Sequence, residues 1–197
     1  AGLNSYGITN IIEKLSSRDH TENLLIKNTK SIKIKKGKKK EIIIFGKNDI
    51  KPININVSGD PSSAAFYTTL TLLNKNSFIK IKNVGLNPSR IGFYKILKKQ
   101  KAKIKFINLK KENNEIRGDI LVKSSKLKPI NAPASFYPST TDEYLLLFLI
   151  AGLQKGSSVF KGISDLANKE SSRALEMKKI LNQIGIKCIL KKDEIKI

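Results

Sequence analysis

Three serine-arginine pairs, Ser17-Arg18, Ser89-Arg90 and Ser172-Arg173, recur 72 and 83 residues apart, each between a strand-like run and a helix-like run. Around them the chain reads strand, loop, Ser-Arg, helix, strand, strand. A capped apolar helix precedes each of the two complete units. Weak internal repeats of alternating strand and helix patterns point to an α/β (α+β) architecture built by duplication. Composition sharpens the pattern, because the chain has 34 lysines and only four arginines, at positions 18, 90, 117 and 173. Three of the four arginines thus fall at one structural position. Arginine differs from lysine in its planar fork, which grips carboxylate or phosphate through two parallel hydrogen bonds.

The first unit opens with Ala1 to Asn4, which reads as the tail of a helix already under way, so the chain is expected to begin inside a larger protein. Strand Ile8 to Ile12 follows, then a helix capped by Ser16 or Ser17 near Arg18, and strands Ser31 to Lys35 and Glu41 to Phe45. The alternating Ile53-Asn54-Ile55-Asn56-Val57 predicts a strand. Asp60 as cap and Pro61 at the first helical position start a helix to Leu73. Strand Phe78 to Ile81, helix Ile91 to Lys99 and strands Ile104 to Ile107 and Ile120 to Val122 complete that unit. The third unit has the apolar helix Tyr144 to Leu153 and strand Val159 to Ile163. A helix after Arg173 and strands Lys187 to Leu190 and Glu194 to Ile197 finish it.

The stretch Lys169-Glu170-Ser171-Ser172-Arg173 sets two cations and an anion at a helix start, where free amides and the helix dipole favour an anion. The plainer reading is a solvated helix start with an i, i+3 pair between Glu170 and Arg173. Arg90 is open to a similar plain reading, as a brace within its own unit. The net charge of +22 would suit nucleic acid, but the lysines alternate with isoleucine as solvent-facing residues do, and no basic and aromatic interleaving accompanies them. No apolar run approaches the length of a membrane span. One cysteine, Cys188, and one histidine, His20, leave no disulfide framework, thiolate metal site or His-based triad to build. Cys188 reads as a small buried hydrophobe.

Several segments together resemble the 5-enolpyruvylshikimate-3-phosphate (EPSP) synthase family. They are Gly59-Asp60-Pro61-Ser62-Ser63-Ala64, Asn87-Pro88-Ser89-Arg90, Asp142-Glu143-Tyr144 and Lys169-Glu170-Ser171-x-Arg173. Ala1-Gly2-Leu3-Asn4, Gly7-Ile8-Thr9 and Arg18-Asp19-His20-Thr21-Glu22 are similar to its class II bacterial branch. The resemblance runs in order through the whole chain and covers less than half of the family's usual length. It implies two lobes of βαβαββ units (an inside-out α/β barrel), with residues 1–57 ending one lobe and 58–197 supplying two units of the other, 58–128 and 129–197. It also implies transfer of the enolpyruvyl group of phosphoenolpyruvate to the 5-hydroxyl of shikimate 3-phosphate, with loss of phosphate.

By the same resemblance, Asp142 faces the shikimate hydroxyl, Lys169 contacts both substrates, and Glu170 shuttles a proton at C3. Arg173 holds phosphoenolpyruvate and Arg18 reaches the 3-phosphate from the opposite lobe. Without the resemblance, Asp142 reads equally as a helix N-cap. No metal or organic cofactor, nucleic acid or membrane partner is expected, and the full-length protein is expected to be a cytoplasmic monomer. Ala167-Asn168, Ser172 and Leu145 depart from the family's usual residues, though none removes a proposed catalytic group. Other substrate contacts of the family lie outside these residues, so the segment alone is expected to be inactive. Two other readings are a relative of UDP-N-acetylglucosamine enolpyruvyl transferase, whose reactive cysteine loop is not seen, and a basic non-enzymatic α/β protein that binds nucleic acid.

Overall fold

The computed structural model describes residues 1–197 apart from Ser16, Lys38, Asp49, Lys169 and Glu170, and apart from the side chains of Asn28, Lys36 and Asn168. Each of the three units folds the same way. In the first, β1 (Ile8–Glu13), α1 (His20–Asn28), β2 (Ile32–Lys36) and β3 (Lys40–Phe45) give a sheet ordered β1-β3-β2. In the second, α2 (Pro61–Leu73), β4 (Phe78–Gly85), α3 (Gly92–Lys99), β5 (Lys103–Glu112) and β6 (Glu115–Lys123) give β4-β6-β5. In the third, β7 (Asn131–Ala132), α4 (Tyr144–Gly152), β8 (Val159–Lys161), α5 (Arg173–Gln183), β9 (Ile189–Leu190) and β10 (Glu194–Lys196) give β7-β8-β10-β9. In every sheet the last strand of the unit lies between its two predecessors. The third unit shows the full βαβαββ order, with the short strand β7 running parallel to β8, and the first and second units share its closing βαββ part.

The expected strand over residues 53–57 does not form. The segment has no assigned secondary structure, and at its end Gly59 makes an isolated parallel bridge to Val84, where the third unit has β7 against β8. The reason lies in burial: Ile55 and Val57 are exposed, so the alternating pattern has no core face to fix a register. The turn Ala134–Ser139 and the turn Ser164–Asn168, both 3-10 helices, were not anticipated either.

Local chemistry sets the helix starts. Pro61 opens α2, and Asp60 caps it by accepting from the Ser63 amide at 2.9 Å. Of the two serines expected to cap α1, Ser16 lies outside the described residues and Ser17 does not cap it. Ser17 turns back instead, its amide and hydroxyl both donating to Glu13 Oε1, and the helix begins two residues later with Asp19 at the cap position and no side-chain cap bond. Ser172 likewise occupies the cap position of α5 without a side-chain cap bond.

The apolar helix α4 is the centre of the core, with Tyr144, Leu147, Phe148 and Ile150 fully buried. Phe148 meets Phe160 of β8 edge-on at 5.0 Å between ring centres, and Tyr144 lies edge-on to both. Helix α2 packs on α4, β4 and β6, and its buried residues include the small Ala64, Ala65, Thr68 and Thr69.

In the second unit, β6 is flanked by a bulge on each neighbour, between Ile81 and Val84 on β4 and between Ile107 and Lys110 on β5. Asn83 and Asn108 take left-handed conformations there, with φ of 51° and 52°. Asp119 ties both bulges, accepting from the Asn83 amide at 3.0 Å and Asn108 Nδ2 at 2.8 Å and pairing with Lys80 at 3.1 Å. These donors, the Asn83 amide first, hold its carboxyl down at about 2. A carboxylate depressed in the folded state stabilises above its unfolded value, near 4, and loses that contribution as pH falls toward 2. Asp119→Asn is therefore expected to lower the thermal midpoint at pH 7, and the gap to the unsubstituted protein should narrow below about pH 4. A gap unchanged with pH would contradict this.

Candidate active site

Asp142 lies two residues before α4, at the end of a buried turn. Thr140 is fully buried and its amide donates to the Tyr137 carbonyl at 3.0 Å, while Gly92 at the start of α3 abuts Ser139 and Thr140 so closely that any side chain there would strike them. This contact fixes the Asp142 segment against the residues that carry Arg90. Asp142 does not cap the helix; Glu143 occupies that position, without a side-chain cap bond.

Arg18, 124 positions away, places Nη2 on Asp142 Oδ2 at 2.5 Å. Both side chains stay about two-fifths exposed. Arg90 is more enclosed. Its Nη2 donates to Asp60 Oδ1 and to Ser62 Oγ, each at 2.8 Å, and its Nη1 stands 4.0 Å from Asp142 Oδ2. Ser62 in turn donates to Glu143, which is buried. Burial pushes the Glu143 carboxyl up, against the opposing pull of the Ser62 hydroxyl and Arg90. Asp60 goes the other way: burial raises it, but the Ser63 and Ser62 amides, the Ser63 hydroxyl and Arg90 together bring it below the usual carboxylate range. Arg90 therefore does brace its own unit, and it also faces the Asp142 carboxylate.

Arg173 is the first residue of α5 and is half-buried. Its charge reaches Tyr137, whose phenol donates to Asp165 at 2.9 Å; burial and that carboxylate raise the phenol, and Arg173 opposes them. Tyr137 belongs to the turn that leads to Asp142, since Thr141 Oγ1 donates to its carbonyl at 2.9 Å. The structure thus gathers Arg18, Asp142 and Arg90. Lys169 and Glu170, two of the residues expected to act in the site, lie outside the described residues.

A cleft of about 940 Å³ opens beside these groups, lined among others by Ser17, Asp19, Asn87, Ser89, Ser135 and Ser139. Cys188 is buried, and burial raises its thiol, as a packing residue rather than a nucleophile requires. Among the described residues, no cluster of three or more His, Cys, Asp or Glu side chains could hold a metal ion. No helix of the described residues is long and apolar enough to cross a membrane. Sequence reasoning missed Asp60, Ser62 and Glu143 as the support of Arg90. Their signals in the sequence, the Asp60-Pro61 cap and a place in the motif segments 59–64 and 142–144, fix where α2 begins but not what its first turn faces.

The repeated α/β units are those of the enolpyruvyl transferase fold, and in this chain they bring guanidinium groups onto one carboxylate beside a cleft of mixed polar and apolar lining. An enolpyruvyl transferase of Streptomyces tendae shares the fold, with a TM-score of 0.65 over 99% of this chain at 12% identity. The family model for EPSP synthase (3-phosphoshikimate 1-carboxyvinyltransferase) matches residues 1–197, and the chain belongs to that family. The 3-phosphoshikimate 1-carboxyvinyltransferase of Zymomonas mobilis is 39% identical over 194 residues, covering 98% of this chain. The solved EPSP synthase of Acinetobacter baumannii superposes with a TM-score of 0.87 at 34% identity over 99% of this chain. The chain spans 43% of the length of each of these two relatives.

Proposed function

We propose that this chain is a segment of an EPSP synthase, a cytoplasmic and monomeric enzyme that moves the enolpyruvyl group of phosphoenolpyruvate to the 5-hydroxyl of shikimate 3-phosphate. The observation that carries the reading is the Arg18 to Asp142 contact, which unites two motif residues 124 positions apart. An ion pair this exposed is worth only about 0–1 kcal/mol. A ligand bearing both a phosphate and a hydroxyl would replace it at little cost, the phosphate taking Arg18 and the hydroxyl taking Asp142.

The hydroxyl is a poor nucleophile and must lose its proton as its oxygen bonds to C2 of phosphoenolpyruvate, while C3 gains a proton. In the tetrahedral adduct a base then removes a proton from C3 as the C2–O bond to phosphate breaks, which re-forms the enol double bond and releases phosphate. We assign Asp142 to the hydroxyl as general base or orienting acceptor, with Arg90 as the neighbouring cation. Arg173 is assigned to phosphoenolpyruvate. Lys169, to both substrates, and Glu170, to the C3 proton, are assigned on their motif positions alone. Cations converging on two anionic substrates supply the electrostatic stabilisation such a step needs.

Residues 1–57 would close one lobe and 58–197 would supply two units of the other, with the stretch before Gly59, which has no assigned secondary structure, as the crossing point. The segment alone would be inactive. In the full-length protein, Arg18→Ala is expected to raise KM for shikimate 3-phosphate about 10- to 100-fold, the size of a lost charge-assisted contact. Arg173→Lys should raise KM for phosphoenolpyruvate instead. Equal effects of both substitutions on both substrates would contradict the assignment.

A further inference from the structure

The tip of the β5–β6 hairpin reaches across to the start of α1. Asn113 and Asn114 form the turn, both left-handed, with φ of 48° and 61°. Glu115 follows, and its carboxylate accepts from two side chains, Asn23 Nδ2 at 3.0 Å and Asn87 Nδ2 at 2.9 Å, with His20 Nδ1 standing 3.1 Å away. Asn114 Nδ2 adds a longer bond to the Asn23 carbonyl at 3.4 Å.

Asn87 is the hub of this contact. It is 3% exposed, and its Oδ1 accepts the Ser89 amide at 2.8 Å and the Ser89 hydroxyl at 2.7 Å. Those donors fix which way the amide lies, so both hydrogens of Nδ2 point outward, one to Glu115 and the other to Asp19 Oδ1 at 2.8 Å. Asp19 spends its carboxylate there rather than on its own helix, which is why α1 has no side-chain cap bond. A buried amide between two carboxylates of different units holds them at a set distance. The bulges tied by Asp119 bend the hairpin that delivers Glu115, since bulges sharpen local twist. Arg18 is bonded to Asp19 through the chain, so the docking of Asp19 also places the guanidinium that reaches Asp142.

We propose that Asn87 and Glu115 are positioning residues, a latch that docks the start of α1 on the hairpin tip and so holds Arg18 at the shikimate 3-phosphate side of the site. This rests on the proposed function for its kinetic consequence, but not for the docking itself. The test uses the full-length protein with Glu115→Ala, Glu115→Gln and Asn87→Ala, read two ways. The first reading is amide hydrogen exchange over residues 18–24 without substrate. We expect exchange to rise about 10-fold or more in Glu115→Ala and Asn87→Ala, and less in Glu115→Gln, which keeps an acceptor.

The second reading is steady-state kinetics. KM for shikimate 3-phosphate should rise about 10-fold in the alanine variants, with kcat and KM for phosphoenolpyruvate within about threefold of the parent and Glu115→Gln in between. A merely structural role would lower active-enzyme yield without separating the two KM values. Unchanged exchange in both alanine variants overturns the latch, and so does faster exchange with an unmoved KM for shikimate 3-phosphate. Were the parent itself to release no phosphate, the proposed function would fall, and exchange alone would then decide whether Glu115 and Asn87 dock α1.

Discussion

Asp142→Asn in the full-length protein is expected to lower kcat for phosphate release by about 10²- to 10⁴-fold, the range lost when a positioned proton-transfer group is removed. The substitution keeps the shape of the side chain and removes the charge that Arg18 and Arg90 face. Folding should be little affected. The Arg18 pair is half-exposed, and Arg90 keeps its bonds to Asp60 and Ser62, so the unfolding midpoint should stay within about 2 °C of the parent. A variant that is folded and retains more than a tenth of the parental kcat would remove Asp142 from the chemistry. One that is inactive because it is unfolded would show the turn at 139–142 to be structural first.

Phe148→Ala should act in the opposite way, on stability. Phe148 is fully buried in α4, against Tyr144 of the same helix and Phe160 of β8. Removing a buried aromatic of this kind costs about 3–5 kcal/mol. Leu153, just past the end of the same helix, is 54% exposed, and Leu153→Ala is expected to change stability by less than about 0.5 kcal/mol. Denaturant titration of the two variants tests the contrast. A similar small loss in both would mean that α4 is not the centre of the core.

The parts of the fold legible in the sequence are those whose cause is local. Asp60 and Pro61 announce α2 because a cap and a fixed φ act within one turn, and the nine apolar residues of α4 announce a helix without a solvent face. The repeat was visible because Ser-Arg pairs punctuate it. Residues 53–57 were misread because alternation shows only that a segment is able to be a strand; a strand also needs a neighbour and a face to bury, and here Ile55 and Val57 have neither. The Ser17 cap failed for a related reason. A competing acceptor, Glu13, lay on the preceding strand, and no spacing rule registers it.

In the candidate site, the Ser-Arg repeat marks Arg18 and Arg173, the roles expected of them and of Asp142 come from motif resemblance, and the structure adds what neither could give. Arg18 and Asp142 meet, while Arg90, left between brace and ligand, serves as a brace that also faces Asp142. Glu115 and Asn87 were invisible as a pair. An acid after an Asn-Asn turn and an asparagine before a proline carry no mutual signal until the fold closes the distance between them. Asp119 is a similar case, one acid tying two bulges on different strands.

The most direct test of the central claim is phosphate release by the full-length protein supplied with phosphoenolpyruvate and shikimate 3-phosphate, set against the same protein with UDP-N-acetylglucosamine as acceptor. The account predicts turnover that requires shikimate 3-phosphate, saturates with both substrates and is absent with the nucleotide sugar. A folded full-length protein that releases no phosphate from the first pair would contradict it, leaving the fold and the Arg18 to Asp142 contact without the activity proposed for them.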